Sequence, residues 1–203
     1  MPRPSTRSRP IVDPIIEPLW EGVRVLVHLR DGAVRVIDDE GYEVDAQFGA
    51  IVEALAHGIA ASEAVVDGWL TNQATRSGEG LALVLVEAPR GMSILRPTKP
   101  GPAPAVPHDR PDAVAFVAVD LLVLDGQVLL DLPLLERKRL LESVIAGSEL
   151  VRTSPYVRPP LERWMPSWKA VGFTGAVLKA SNSRYVPGGL ADDWSVARPL
   201  GRR

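Results

Sequence analysis

The chain has 203 residues, enough for one large domain, or one domain with a small lobe, and enough to bury a core without covalent staples. It contains no cysteine, which excludes disulfides, thiolate zinc sites and cysteine nucleophiles, and its three histidines, His28, His57 and His108, are scattered, which argues against a histidine-based metal site. A formal charge of −2, with 46% apolar and 24% charged residues, describes an ordinary globular protein and gives no support for tight autonomous binding to a polyanion.

Residues 1–14 open with a basic, proline-rich stretch that lacks an apolar centre, so a flexible tail is expected there. No apolar run reaches membrane-spanning length, and a cytoplasmic protein is expected. Val23 to Leu29 and Ala33 to Ile37 read as strands joined at Asp31-Gly32, a pair that tolerates the positive φ of tight turns. Phe48, Ile51, Val52 and Leu55 recur at helical spacing within Gln47 to His57. Val65 to Thr71 and Leu81 to Glu87 read as strands. Seven prolines between Pro89 and Pro111 predict a loop, bounded here as 89–113.

Val114 to Leu124 is predicted to be a buried strand, turned at Asp125-Gly126 into Val128 to Leu130. Pro133 opens an amphipathic helix carrying Leu134, Leu135, Lys138, Leu141, Val144 and Ile145. Lys138, between Arg137 and Arg139, is expected on a solvated helix face. A second helix is predicted over Leu161 to Val171, and Phe173 to Ala180 and Trp194 to Arg198 close the chain as strands. The fold class expected is α+β, with antiparallel sheets flanked by helices. One domain is expected over 15–198, with a second short tail at 199–203. Read as ordinary polar residues, Asp67 and Asp120 cap turns and Lys179 is a strand-end lysine.

Five segments, in this order, resemble the signature motifs of ATP-dependent DNA ligases. Glu17-Pro18-Leu19-Trp20-Glu21-Gly22-Val23-Arg24 resembles the nucleophile motif Glu-Pro-Lys-Trp-Asp-Gly-x-Arg. Val66-Asp67-Gly68-Trp69 resembles Leu-Asp-Gly-Glu. Phe116 to Leu122, with Asp120, resembles the strand beside the adenine, and Asp125-Gly126 through Pro133-Leu134-Leu135-Glu136-Arg137 continues in the family's manner. Thr174-Gly175-Ala176-Val177-Leu178-Lys179 is similar to Glu-Gly-Val-Val-x-Lys. Tyr185-Val186-Pro187-Gly188, followed by Asp193-Trp194-Ser195-Val196-Ala197-Arg198, is similar to the closing motif. The resemblance runs from Ile15 to Arg198 and implies an ATP-grasp-like nucleotidyltransferase, or adenylation, domain. It assigns Leu19, Glu21, Arg24, Asp67, Trp69, Val119, Thr174, Lys179, Val196 and Arg198 to nucleotide-pocket positions, and implies ATP and magnesium as ligands.

The chemistry of that family needs groups that this sequence lacks. A lysine amine attacks the α-phosphate of ATP to form lysyl-AMP, and its lone pair is indispensable. Leu19 stands at that position. Glu21 keeps a carboxylate in place of the motif's aspartate, but Trp69 and Thr174 replace glutamates suited to magnesium or ribose. Val196 replaces the first lysine of the closing motif and Arg198 the second; Leu190 matches an arginine. Only four lysines occur in the chain, Lys99, Lys138, Lys169 and Lys179, of which Lys179 is the one on a pocket strand by resemblance.

The sequence ends at Arg203, just past the last motif, where active relatives usually continue into an OB-fold domain. The expected protein is therefore a catalytically inactive relative whose former pocket is partly filled by Leu19, Trp69, Val196 and Leu190. It would serve as an interaction or scaffold module, with a DNA-repair protein as partner. Two alternatives stand beside it: a working ATP-dependent ligase that seals nicks, and a nucleic-acid-binding module that touches phosphate through Arg3, Arg7, Arg9, Arg202 and Arg203.

Overall fold

Alternating burial along one strand and a continuous apolar run along another build the larger sheet. In a computed structural model that describes residues 1–4, 10–73, 114–170 and 172–198, strand β1 is Arg3–Pro4, β2 is Pro14–Pro18, β3 is Val23–Arg30 and β4 is Ala33–Asp38. Helix α1 is Gly49–Gly58, preceded by a 3-10 turn at Asp45–Gln47, and strands β5, Glu63–Thr71, and β6, Ala115–Leu124, follow. After β7, Gln127–Val128, come helix α2, Leu134–Val144, and strand β8, Val151–Thr153. A 3-10 turn at Leu161–Arg163 leads into helix α3, Met165–Ala170, and β9, Ala176–Ala180, β10, Leu190–Ala191, and β11, Trp194–Ala197, complete the chain.

The larger sheet has the order β4-β3-β5-β6-β7, with β8 also paired to β6, and a second sheet has the order β11-β9-β2. Both turns expected at Asp-Gly form: Asp31 and Gly32 have φ of 50° and 82°, and Asp125 and Gly126 of 45° and 80°. The architecture is α+β as expected. Two pairings are parallel, however, β6 with β8 and β1 with β10.

Several elements differ from the sequence reading. The second helix is broken in two, because Pro166 in the Met165–Ala170 helix has no N–H to extend a continuous ladder from Leu161. Phe173 and Thr174 precede strand β9 rather than joining it. Within the expected flexible tail, Arg3–Pro4 pairs with Leu190–Ala191 and Pro14 opens β2, so backbone hydrogen bonding holds these residues. The strand expected at Leu81–Glu87, the proline-rich loop 89–113, and Lys99, His108, Arg7, Arg9, Arg202 and Arg203 lie outside the described residues.

Strand β6 is buried on both faces and separates two apolar clusters. Phe116, Ala118 and Leu121 join the cluster covered by α1 and α2, which includes Val25, Val27, Leu55, Val66 and Leu141. Ala115, Val117 and Val119 join the cluster formed with Ile16, Trp20, Trp168 and Phe173. The β5–β6 register slips twice, first between Val65 and Val66, which leaves Leu122 without a partner. Asp67 pairs with Asp120 and Gly68 with Ala118, which leaves Val119 without a partner and forms a bulge.

Two aspartates therefore face each other in the middle of the sheet, both wholly buried. They do not cap turns. Asp67 accepts Arg24 Nε at 3.0 Å, Arg24 Nη2 at 2.6 Å and the Tyr185 hydroxyl at 2.8 Å. Asp120 accepts Arg137 Nε at 2.8 Å, Arg137 Nη2 at 2.9 Å and its neighbour's amide, Leu121 N, at 2.9 Å. Like charges in adjacent strands persist because each has its own bidentate guanidinium.

Arg137 also corrects the expected solvated face of α2. Arg137 and Lys138 are 0% and 1% exposed, whereas Arg139 reaches solvent and Glu136. Pro133 starts the helix, and the free amides of Leu134 and Leu135 donate to the carbonyls of Ser183 and Ser181 at 3.0 and 2.9 Å. These bonds seat the helix on the loop after β9 and turn Arg137 and Lys138 inward.

Removing one member of the Asp120–Arg137 pair strands a buried charge. Asp120→Ala is expected to lower the unfolding free energy by about 3–5 kcal/mol, read from urea denaturation. Asp120→Ala combined with Arg137→Met should recover much of that loss; an undiminished deficit in the double variant would refute the stranded-charge account.

Candidate functional site

The two sheets meet around a cavity of about 510 Å³, a volume common for small-molecule sites. One wall comes from the smaller sheet. Lys179 pairs in register with Trp194 and Val177 with Val196, so β9 and β11 present these four residues as two adjacent rows, with Glu17 of β2 beside Val177. The opposite wall holds Arg24 from β3, Trp69 from β5 and Val119 from the bulge in β6. Leu19 and Trp20, between β2 and β3, line the junction.

The Glu-Pro-Leu-Trp-Glu-Gly stretch passes from one sheet to the other, and two glycines permit the crossing. Gly22 has a φ of 141°, and a Cβ there would lie 2.3 Å from the Leu70 carbonyl oxygen. A Cβ on Gly175 would lie 2.6 Å from the Ala197 carbonyl oxygen and 3.3 Å from both Leu19 Cδ2 and Arg198 Cγ. The Leu19 amide donates to the Gly175 carbonyl at 3.0 Å, which sets Leu19 against the start of β9. Trp20 is anchored by its Nε1 donating to Ser154 Oγ at 2.9 Å and by an edge-to-face contact with Phe173, centroids 4.8 Å apart.

Six of the ten positions assigned by resemblance line this cavity: Leu19, Arg24, Trp69, Val119, Lys179 and Val196. The other four stand apart. Asp67 lies behind the wall and holds Arg24 in place. Glu21 and Thr174 are exposed and bonded to each other, with Thr174 Oγ1 donating to Glu21 Oε1, and the Glu21 amide donates to Gln73 Oε1 at 2.7 Å. Arg198 is exposed beside Gly175. Leu19, Trp69 and Val196 line the space.

The cations at the cavity are internally neutralised. Arg24 spends Nε and Nη2 on Asp67, and its Nη1 donates to the Pro2 carbonyl at 2.7 Å. Lys179 is 4% exposed; its Nζ donates to Glu17 Oε2 at 3.0 Å and sits 4.4 Å from the centroid of the Trp194 ring. It is therefore not a surface lysine at a strand end. Lys138 Nζ comes within 2.6 Å of the other Glu17 oxygen, close enough for a strong charge interaction although the angle is poor for a hydrogen bond. Burial pulls the Lys179 amine below its ordinary range, opposed by the Glu17 carboxylate and reinforced by the Lys138 charge.

Sequence reasoning did not single out Glu17 as a site residue, and it misplaced Lys138. The signal for Lys138 was present. It lies four residues after Leu134 and three before Leu141, on the stripe that the helix buries. For Glu17 there was no comparable cue, because only the folded sheets bring Lys138 and Lys179 to it.

Among the described residues no cluster of three acidic or histidine side chains forms an all-protein magnesium site. Glu21 is committed to Thr174 and Gln73, and Glu17 and Asp67 are committed to cations. Leu19 offers no nucleophilic atom. The arrangement can enclose a small ligand between apolar and aromatic walls.

Burial alone would raise the Glu17 carboxyl, yet Lys138 and Lys179 more than reverse this and hold it below its ordinary 4.5. A carboxyl lowered by folding contributes stability above its unfolded value and loses it as pH falls through the folded value. The urea midpoint should therefore drop below about pH 4.5 in the wild type. Glu17→Gln should be less stable at neutral pH and show a shallower acid limb; parallel acid limbs would rule out this role for Glu17.

Residues 11–195 match the family described as ATP dependent DNA ligase domain. The multifunctional non-homologous end joining DNA repair protein LigD of Mycobacterium tuberculosis is 30% identical over 177 residues, 86% of this chain and 20% of that protein. A DNA ligase of Methanothrix thermoacetophila is 30% identical over 193 residues, 91% of this chain and 32% of that protein. The chain thus spans a fifth to a third of the length of these relatives. The ligase domain of M. tuberculosis LigD shares the fold, with a TM-score of 0.62 at 24% identity over 92% of this chain and 53% of that one. A mycobacterial DNA ligase D complexed with ATP and MES gives 0.60 at 24% identity, covering 92% and 54%. A family match over residues 11–195, on a backbone that shares the fold of the LigD ligase domain, makes this protein a member of the ATP-dependent DNA ligase adenylation-domain family.

Proposed function

We propose that this domain is catalytically inactive and acts as an interaction or scaffold module linked to DNA repair. The observation that carries the reading is Leu19, a hydrocarbon on the cavity wall at the position where the family's reaction begins from an amine. Trp69 and Val196, also on the wall, remove two further charged groups from the reaction's surroundings. The link to repair is supported by LigD relatives named for non-homologous end joining.

A working ligase is the competing reading, and Lys179 is the residue that favours it. Its amine lines the cavity, and burial lowers its pKa. Two contacts oppose an attacking role. Glu17 accepts a hydrogen bond from the Lys179 Nζ at 3.0 Å and the Trp194 ring lies 4.4 Å from it, so both contacts hold the amine on the sheet.

Incubation of the purified chain with ATP and magnesium, followed by intact-mass spectrometry, distinguishes the two. The unmodified mass alone is expected. A stoichiometric adenylate adduct, lost in Lys179→Ala, would establish the working enzyme instead.

A further inference from the structure

Residues 2–4 tie down the one nitrogen of Arg24 that the larger sheet leaves over. Asp67 holds Nε and Nη2, and Nη1 donates to the Pro2 carbonyl at 2.7 Å. Pro2 lies 22 positions earlier in the chain and is buried. The guanidinium in turn lies over the Trp69 ring, 5.9 Å from its centroid. Pro2, Arg24 and Trp69 thus form one run of contacts at the cavity, and the Arg24 side chain is left only 14% exposed.

The same segment reaches the cavity itself. Pro4, half-buried, belongs to the lining together with the exposed Val23, Asp39 and Val196, so it lies towards the solvent side of that space. Strand β1 also packs against β11, which carries Val196. Its backbone attachment is slight. Only Arg3 and Pro4 pair with Leu190 and Ala191, and Pro4 has no N–H to add to the ladder. A two-residue pairing belongs to the low end of local stability and opens without the rest of the sheet. The bond from the Arg24 guanidinium favours the closed arrangement, because a charged donor binds a carbonyl more strongly than a neutral one does.

We propose that residues 2–4 are a detachable strap that restricts entry to the cavity, giving Arg24 an internal acceptor and setting Pro4 into the lining. A molecule that is to reach Arg24 Nη1 must first displace the Pro2 carbonyl. Full occupancy of the cavity and pairing of β1 with β10 therefore oppose each other. The strap controls access, which goes beyond the non-catalytic reading and does not depend on it.

The fluorescent probe anilinonaphthalene sulfonate tests this, since its sulfonate suits a freed guanidinium and its rings suit an apolar lining. Deleting residues 2–4 should tighten its binding by about tenfold, the weight of one hydrogen bond to a charged group. Adding Leu19→Trp to the deletion fills the cavity and should abolish that gain. A gain that persists puts the dye elsewhere and overturns the proposal.

A second arm serves if the shortened chain fails to fold. The chain has no cysteine, so one introduced pair is unambiguous. Pro4→Cys with Ala191→Cys joins Cα partners on adjacent strands, within the reach of a disulfide. Oxidation should weaken dye binding by about tenfold relative to the same protein reduced. Unchanged affinity after the deletion, or equal binding by the oxidised and reduced proteins, overturns the strap.

Discussion

Glu17 is the charge on which the smaller sheet, helix α2 and the cavity wall all converge. It is 2% exposed, and it lies between Lys138 of α2 and Lys179 of β9. A carboxylate at that depth is tolerable only with both cations present, and neither lysine would tolerate burial without it. Burial pulls the Lys179 amine down, Glu17 opposes that pull, and the Lys138 charge adds to it. The wall of the cavity is consequently a rigid, self-satisfied surface rather than a set of free groups waiting for a ligand.

The same logic is repeated one layer deeper. Asp67 and Asp120 oppose each other across β5 and β6, and Arg24 and Arg137 neutralise them from opposite directions. Tyr185 donates a third hydrogen bond to Asp67, and its hydroxyl is held far above the ordinary range by burial and by that carboxylate. Conserving charge inside this frame while exchanging charge for hydrocarbon at Leu19, Trp69 and Val196 separates two things that are easily conflated. The fold's own ion pairs survive because their loss would cost several kcal/mol out of a stability that is itself only about 5–15. Leu19, Trp69 and Val196 take part in none of these ion pairs and line the cavity.

Much of this was legible in the residues. The β-branched, apolar runs of β3 and β6, the two Asp-Gly turns and the stripe on α2 are local signals with local causes, and each formed at the expected place within a few residues. Leu19 as a replacement for an amine was also readable, because a side chain's chemistry does not depend on where it lies. Boundaries fared less well. Pro166 divided a helix that periodicity alone ran together, and the pairing of Arg3–Pro4 with Leu190–Ala191 joins residues almost the whole chain apart.

Sequence by itself determined the family resemblance, the α+β class and the missing nucleophile, since motif order, periodicity and functional-group identity are properties of the linear chain. Only the tertiary structure decided that Arg137 and Lys138 are buried, that Asp67 and Asp120 are paired sheet carboxylates rather than turn caps, and that Lys179 is bound to Glu17. It also decided that the apolar replacements surround an open cavity. The physical reason is that a charge's fate depends on which opposite charge comes within about 3 Å, and for these residues the partners arrive from other elements through the sheet register and the seating of α2.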